Sequence, residues 1–368
     1  MTQRGPSRPL LWLMGVSLAL SCSGCAPLAA RRILDAGYNG GGTPFPKTFE
    51  WTPFDSGFAV AIRDEPDVKL MVWVLEPQRV QLWREGAEEP PVPSKWASED
   101  VERLKVWSGE KPAVWVRRSR TGAEDPPEPA GTILVLEHLT GRARTDYWFW
   151  PLAMAMADAG YRVILPDLRG QGDSTGPSLG YVLGDAADLA VVIDALDDRG
   201  LLAGRLGVFG HSYGAAVAAK LATADGRVAT CVLSGAPMTM RSAIDRAAER
   251  HGLWRWMTQA QRKRTFELIS REIGFPIETL DVRTFLKAPT VPVLLLHGHQ
   301  DEWVPVCDAL ENYLARPERT RFVIYDDGKH LGYLVTRFED VRAVCLKWFA
   351  VHLRGEGDAN DMYGVQVR

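Results

Sequence analysis

A serine framed by two glycines constrains the fold of this chain more than any other sequence feature. Ser212 lies between Gly210 and Gly214, after an apolar run at 206–209 that is typical of a buried strand and before an alanine-rich run at 215–222 that is typical of a helix. A sharp turn from strand to helix needs residues without side chains on both sides, because the two elements pass close together there. The sequence therefore predicts a strained turn with an exposed hydroxyl at a sheet edge, which makes Ser212 a candidate nucleophile.

A serine hydroxyl becomes a good nucleophile only when a base takes its proton and an acid orients that base. An aspartate and a histidine follow Ser212 in this order, and each lies just after a predicted strand. Asp301 follows the apolar run at 293–296, and His330 lies in a turn after the run at 321–325. We predict that Asp301 is the acid and His330 the base.

The order Ser212, Asp301, His330, together with the DLRGQGDS loop at 167–174, resembles the α/β-hydrolase fold family of serine hydrolases over residues 103–352. Within that family the chain is most similar to lid-bearing esterases, acylglycerol lipases and the serine aminopeptidase-like group. The resemblance implies an α/β fold with a mostly parallel central sheet and flanking helices. It also implies hydrolysis of small-molecule ester or acyl substrates through an acyl-enzyme, which needs no cofactor.

The resemblance further implies an oxyanion hole made of two backbone N–H groups. Tyr213, directly after the nucleophile, supplies one of them. The other comes from the loop after the strand predicted at 132–136, where Leu139 stands in place of the family's glycine. We assign this second donor to Thr140.

A helical lid is expected at about 238–287, where the chain leaves the sheet between two strands. Trp254, Trp256 and Phe266 place large apolar side chains in this segment. An apolar roof over Ser212 would exclude water and contact an acyl chain, which favours esters of apolar acyl groups as substrates. Packing of the lid against the body explains the same side chains equally well.

Three alternatives to an esterase remain open. The first is a peptidase of the serine aminopeptidase-like group, in which Glu267 or Glu272 of the lid would capture a substrate amine. The second is a catalytically silent binding module of the same fold. The third is a zinc site at His297, His299 and Asp301, although a dinuclear site of that kind would need a further histidine directly after the aspartate, where the chain has glutamate.

The amino terminus has the pattern of a sorting signal. Arg4 and Arg8 precede an apolar core at 10–20, and small residues follow it, so residues 1–24 are predicted to be a signal peptide. The run at 23–27 resembles a bacterial lipoprotein cleavage site, which implies that Cys25 becomes the acylated first residue of the mature chain. We expect an exported protein anchored to a bacterial membrane, facing the periplasm or the cell surface; secretion without a lipid is the alternative.

The length of 368 residues suits one large domain with an appended portion. We predict a tether at 25–48, a small β extension at 49–102, the hydrolase domain at 103–352 and a C-terminal tail at 353–368. Apolar residues at helical spacing predict a structural helix at 185–196. A net charge of −3 does not suggest binding to nucleic acid.

Overall fold

The computed structural model describes residues 25–35, 54–63, 65–84, 86–91, 101–106, 114–119, 128–139, 148–176, 179–288, 291–358 and 362–368. The predicted signal peptide, most of the predicted tether and Thr140 lie outside these residues.

A nine-stranded sheet forms the centre of the molecule, in the order β1-β2-β7-β6-β8-β9-β10-β11-β12. The seven strands β6 to β12 run parallel to one another. β1 and β2 are antiparallel to their neighbours. The central strands β6, β8 and β10 are buried along their whole length, as expected for a parallel sheet that is covered on both faces. The strands of this sheet are β1 (Ser56–Ile62), β2 (Glu65–Leu75), β6 (Thr132–Leu136), β7 (Arg162–Pro166), β8 (Leu206–His211), β9 (Val228–Ser234), β10 (Val293–Gly298), β11 (Thr320–Tyr325) and β12 (Gly364–Val367).

Helices cover both faces of this sheet, and side chains of alternating direction along the strands supply the two cores. In β6, Leu134 and Leu136 belong to one core, whereas Ile133 and Val135 belong to the other. The helices are α1 (Cys25–Leu34), α2 (Trp150–Asp158), α3 (Leu183–Asp198), α4 (Tyr213–Ala224), α5 (Met240–Arg250), α6 (Gln259–Ile273), α7 (Val282–Lys287), α8 (Val306–Leu314), α9 (Tyr333–Thr336) and α10 (Phe338–Phe349). Of the helices within the described ranges, none has both the length and the apolar character needed to span a membrane.

A second, antiparallel sheet contains β3 (Val80–Arg84), β4 (Val101–Val106) and β5 (Val114–Ser119), in the order β3-β5-β4. The predicted boundary at residue 103 therefore differs from the structure, because it falls inside β4. The first two strands of the predicted extension also belong to the central sheet, since residues 72–75 of β2 pair with β7.

Both ends of the described chain are more ordered than the sequence predicts. The predicted tether begins with α1, which packs against α6 of the lid segment. The hydroxyl of Tyr181 donates a hydrogen bond of 3.0 Å to the carbonyl of Leu34 at the end of this helix. The predicted tail contains β12, which adds a parallel edge strand to the central sheet beside β11. The predicted lid segment at 238–287 contains α5, α6 and α7.

Candidate active site

The turn between β8 and α4 holds Ser212 in a strained backbone conformation, with φ of 54° and ψ of −114°. The flanking glycines are needed for close packing. A Cβ at Gly210 would lie 2.3 Å from the carbonyl oxygen of Gly214, and one at Gly214 would lie 2.3 Å from the carbonyl oxygen of Glu137. The sequence therefore folds locally into a turn that presents the serine, and no residue with a side chain fits at either glycine.

Ser212, His330 and Asp301 come together at the carboxyl edge of the parallel strands. Ser212 follows β8, Asp301 follows β10 and His330 follows β11. The Nε2 atom of His330 lies 2.9 Å from the Oγ atom of Ser212, and its Nδ1 atom lies 2.6 Å from the Oδ2 atom of Asp301. The three side chains thus form one continuous hydrogen-bonded chain.

Backbone donors fix the orientation of Asp301. Its Oδ1 atom accepts hydrogen bonds of 2.8 Å from the N–H groups of Trp303 and Val304, which leaves Oδ2 for the imidazole of His330. The carboxylate side chain is fully buried. Because Oδ2 accepts the Nδ1 proton of His330, the Nε2 atom is free to accept the proton of the serine hydroxyl, as a general base must.

Two further histidines pack beside the hydrogen-bonded side chains of Ser212, His330 and Asp301. His211 lies with its ring centre 4.8 Å from that of His330, and its Nδ1 atom lies 2.8 Å from the Oγ atom of Ser234. His297 donates a hydrogen bond of 2.8 Å from Nε2 to the carbonyl of Val304. Burial lowers the pKa of both imidazoles, that of His211 well below its ordinary value. Both rings are therefore neutral near pH 7 and add no positive charge beside His330.

The backbone N–H of Tyr213 is suited to bind an oxyanion. Tyr213 is the first residue of α4, so its N–H is among those that have no acceptor within the helix, and the positive end of the helix dipole lies there. Leu139, in the loop predicted to supply the second donor, is held by a 2.6 Å hydrogen bond from Nε2 of Gln171 to its carbonyl. Thr140, the predicted second donor, lies outside the described residues.

The side chain of Tyr213 is bound to a buried carboxylate. Its hydroxyl donates to Oδ2 of Asp185 and accepts the N–H of Val182 at 2.9 Å. Asp185 also accepts the N–H groups of Gly180 and Val182 at 3.0 Å each. Burial raises the pKa of Asp185, and these donors act against that effect.

The loop that Asp185 holds is strained. Tyr181 and Val182 have φ angles of 47° and 68°, and with Ser212 they are the non-glycine residues of the described ranges that have positive φ. Such conformations cost about 1–3 kcal/mol each and persist only where surrounding contacts impose them. The sequence suggested only a structural helix here; the one signal of a further role was an acidic residue in its first turn.

A cavity of about 850 Å³ lies next to Tyr213 and has mainly apolar walls. Its lining comes from four parts of the chain: the residues beside the nucleophile, the strained loop, the lid and α1. The side chains that line it include Leu139, Tyr213, Leu179, Tyr181, Met240, Ile244, Met257, Trp256, Leu28, Ala29 and Ile33. A cavity of this size and character accommodates a small organic ligand.

The structure does not bring the three predicted roof residues together over Ser212. Trp256 lines the cavity and is 60% exposed. Trp254 and Phe266 are instead buried inside the lid, with ring centres 6.0 Å apart, and they do not line the cavity. The indole N–H of Trp254 donates to the side chain of Asp245, which holds this ring in the lid core.

Of the residues of the alternative chemistries, His297 and Asp301 lie close together, with Nε2 3.6 Å from Oδ2. His299 is instead exposed and lies 2.9 Å from Asp326. Over the part of the chain that the structure describes, no group of three histidine, cysteine or acidic side chains is arranged to hold a metal ion. Glu267 pairs with Arg264 on the exposed face of α6, and neither it nor Glu272 lines the cavity.

Comparison with protein families gives a match over most of the hydrolase region. The model of the alpha/beta hydrolase family matches residues 134–344. The uncharacterized protein YfhR of Escherichia coli O157:H7 is 24% identical over 252 residues, which cover 68% of this chain and 79% of YfhR.

Solved structures of similar fold include esterases and a peptidase. The esterase Pf2001 of Pyrococcus furiosus has a TM-score of 0.59 at 18% identity. The match covers 84% of this chain and 97% of the Pf2001 chain. Est1E of Butyrivibrio proteoclasticus, with ferulic acid bound, has a TM-score of 0.53 at 14% identity over 81% of this chain and all of its own. An acylaminoacyl peptidase of Pyrococcus horikoshii has a TM-score of 0.54 at 16% identity over 84% of this chain and 43% of its own. At these identities the likeness shows the fold.

Proposed function

This chain belongs to the alpha/beta hydrolase family, and from that premise we propose that it is a serine hydrolase that cleaves carboxylic esters through an acyl-enzyme. The observation that carries the proposal is the hydrogen-bonded chain from Ser212 through His330 to Asp301, with distances of 2.9 and 2.6 Å. A half-buried serine on a strained turn, a base within reach and an oriented carboxylate are what nucleophilic acyl transfer requires.

In the proposed mechanism His330 takes the hydroxyl proton of Ser212 as Oγ attacks the ester carbonyl. The N–H of Tyr213 donates to the oxygen that becomes negative. Asp301 stabilises the imidazolium, which then gives its proton to the leaving alkoxide. A water molecule, deprotonated by His330, attacks the acyl-enzyme, and Ser212 recovers its proton as the acid leaves.

We assign apolar acyl groups as the substrate class, because the walls of the cavity beside Tyr213 are mainly apolar. Each buried methylene of an acyl chain would contribute about 0.8 kcal/mol at most. A panel of p-nitrophenyl esters from acetyl to decanoyl, compared with aminoacyl and peptidyl p-nitroanilides, tests this assignment. We expect the highest kcat/KM for medium-chain esters. Faster cleavage of the anilides would support a peptidase, and no turnover of any substrate would support a binding module.

We further propose that the protein is exported and anchored to a bacterial membrane through a lipid on Cys25. The support is the sequence pattern around Cys25, and several acyl chains on one terminus would bind a bilayer far more stably than a single chain. Cys25 is 3% exposed at the start of α1, so a lipid on its sulfur would require this first residue to turn out of the helix. Cys25→Ser should abolish incorporation of labelled palmitate and release the protein from the membrane fraction. Cys22→Ser is the matched control and should retain the label. Unchanged membrane partition of Cys25→Ser would overturn the proposal.

A further inference from the structure

We infer that α1 is a wall of the acyl-binding cavity and that its residues select the length of the acyl chain. The inference rests on the proposed esterase function. α1 precedes the central sheet in the chain and is not part of the lid segment, so this role is separate from those of the nucleophile turn and the lid helices.

The first support is the docking of α1 against the lid segment. The buried residues of α1 are small: Cys25, Ala26, Ala29 and Ala30. Small side chains allow the helix to approach α6 closely, and they join the same apolar core as the lid residues. At the other end of the helix, the hydroxyl of Tyr181 holds the carbonyl of Leu34. The packing of Ala29 and Ala30 and the hydrogen bond at Leu34 thus hold α1 in place.

The second support is the set of α1 side chains that line the cavity. Leu28, Ala29 and Ile33 share this lining with Leu139 and with Tyr213, the residue that follows the nucleophile. Ala29 lines the cavity with a single methyl group, so a larger side chain at this position would extend into it. A chain bound in the cavity therefore contacts residues that come from the amino-terminal segment.

The third support indicates a linear aliphatic chain as the ligand. Leu28 is 50% exposed and Trp256 is 60% exposed, and these two large apolar side chains both line the cavity. An acyl chain long enough to reach them would remove their surface from water, which an acetyl group cannot do. Contacts with α1 should therefore favour long acyl chains over short ones.

The test compares the ratio of kcat/KM for octanoyl and acetyl p-nitrophenyl esters in full-length variants. Ala29→Phe should lower this ratio by about tenfold or more, because the ring occupies space that the acyl chain needs. Leu28→Asp should lower it by about fivefold, and folding is at little risk because this side chain is half exposed. Arg31→Phe, which adds the same ring to an exposed position of the same helix, should keep the wild-type ratio.

The outcomes separate this inference from the proposed function. Wild-type protein that hydrolyses no ester would contradict the proposed function. Wild-type protein that prefers octanoyl esters, with Ala29→Phe and Leu28→Asp keeping that preference, would overturn only the role of α1. A ratio that falls equally in Arg31→Phe would also overturn it, since that change lies outside the cavity.

Discussion

Tyr213 links the candidate nucleophile to a buried carboxylate. Its backbone N–H lies at the start of α4, next to Ser212, while its hydroxyl binds Asp185. Asp185 in turn holds the two backbone N–H groups of the strained loop. A buried carboxylate is tolerated only when its oxygens are hydrogen-bonded, so the hydroxyl of Tyr213 stabilises the fold and also fixes the residue that would donate to the oxyanion.

Tyr213→Phe should lower the free energy of unfolding by about 1–3 kcal/mol, because a buried acceptor loses one donor. The backbone N–H remains, so ester hydrolysis should persist. Urea unfolding measures the effect. Tyr313→Phe removes the hydroxyl of a half-buried tyrosine whose ring stacks on Phe322, and it should change stability by no more than about 0.5 kcal/mol. Equal stability of the two variants would contradict this role of Asp185.

The sequence predicts Ser212, Asp301 and His330 because each depends on local signals: a glycine-framed turn and two loops that follow apolar strands. The contact between Tyr213 and Asp185 could not be predicted in the same way, because it joins residues 28 positions apart through a loop with positive φ at Tyr181 and Val182. Neither of these residues is a type that normally adopts such angles. Thr140 stays a prediction.

Among the elements, the lid combines two different roles for its tryptophans. Trp254 is buried in the lid core and hydrogen-bonded to Asp245, whereas Trp256 is exposed at the cavity. The sequence could not separate them, since both residues are large, apolar and two positions apart. Only the direction of each side chain in the folded chain distinguishes burial in the core from exposure at the cavity.

Trp254→Ala should therefore affect stability, whereas Trp256→Ala should affect the preference for acyl chain length. Trp254→Ala should cost about 3–5 kcal/mol of stability, because it leaves a cavity in the lid core. Trp256→Ala should change stability by less than about 0.5 kcal/mol but reduce the preference for medium-chain over acetyl esters. Thermal unfolding and the ester panel measure the two effects. A loss of chain-length preference in Trp254→Ala without loss of stability would contradict the assignment.

The small β extension is an element that the sequence placed only in part. The sequence predicts a β extension at 49–102 but not how its strands pair, because pairing partners are not encoded locally. Residues 72–75 of β2 pair with β7, which lies about 90 positions later, so β1 and β2 extend the central sheet. The helical structure of α1 was also missed, because a short alanine-rich segment is stabilised mainly by its packing against the lid.

At the scale of the whole molecule, buried histidines tie stability to pH. Burial lowers the pKa of His211, His297 and His352, that of His352 to about 4. In the unfolded chain these groups titrate near about 6.5, so unfolding takes up protons below that pH. Their contribution to stability is complete above about pH 6.5 and is lost as the pH falls toward the folded pKa values. Asp185, whose pKa is raised, acts in the opposite sense, because its contribution to stability falls as the pH rises above about 3.9.

His352→Phe isolates one part of this dependence. The phenyl ring can keep the contact with Trp348, whose ring centre lies 4.2 Å from that of His352, but it does not titrate. Between pH 6.5 and 4.5 the wild type should lose about 1–2 kcal/mol more of its unfolding free energy than the variant, because solvent screening reduces the full effect of the shift. Denaturant unfolding at several pH values measures the difference. Parallel pH dependences of the two proteins would contradict the prediction.

The most direct test of the central claim is to find which residue a fluorophosphonate modifies. Peptide mass spectrometry of the labelled full-length protein should place the adduct on Ser212, and Ser212→Ala should lose both the label and ester hydrolysis, the latter by a factor of about 10⁴ or more. Ser242→Ala, which changes a serine at the start of α5, should keep both. An adduct on another residue, or full labelling of Ser212→Ala, would contradict the account.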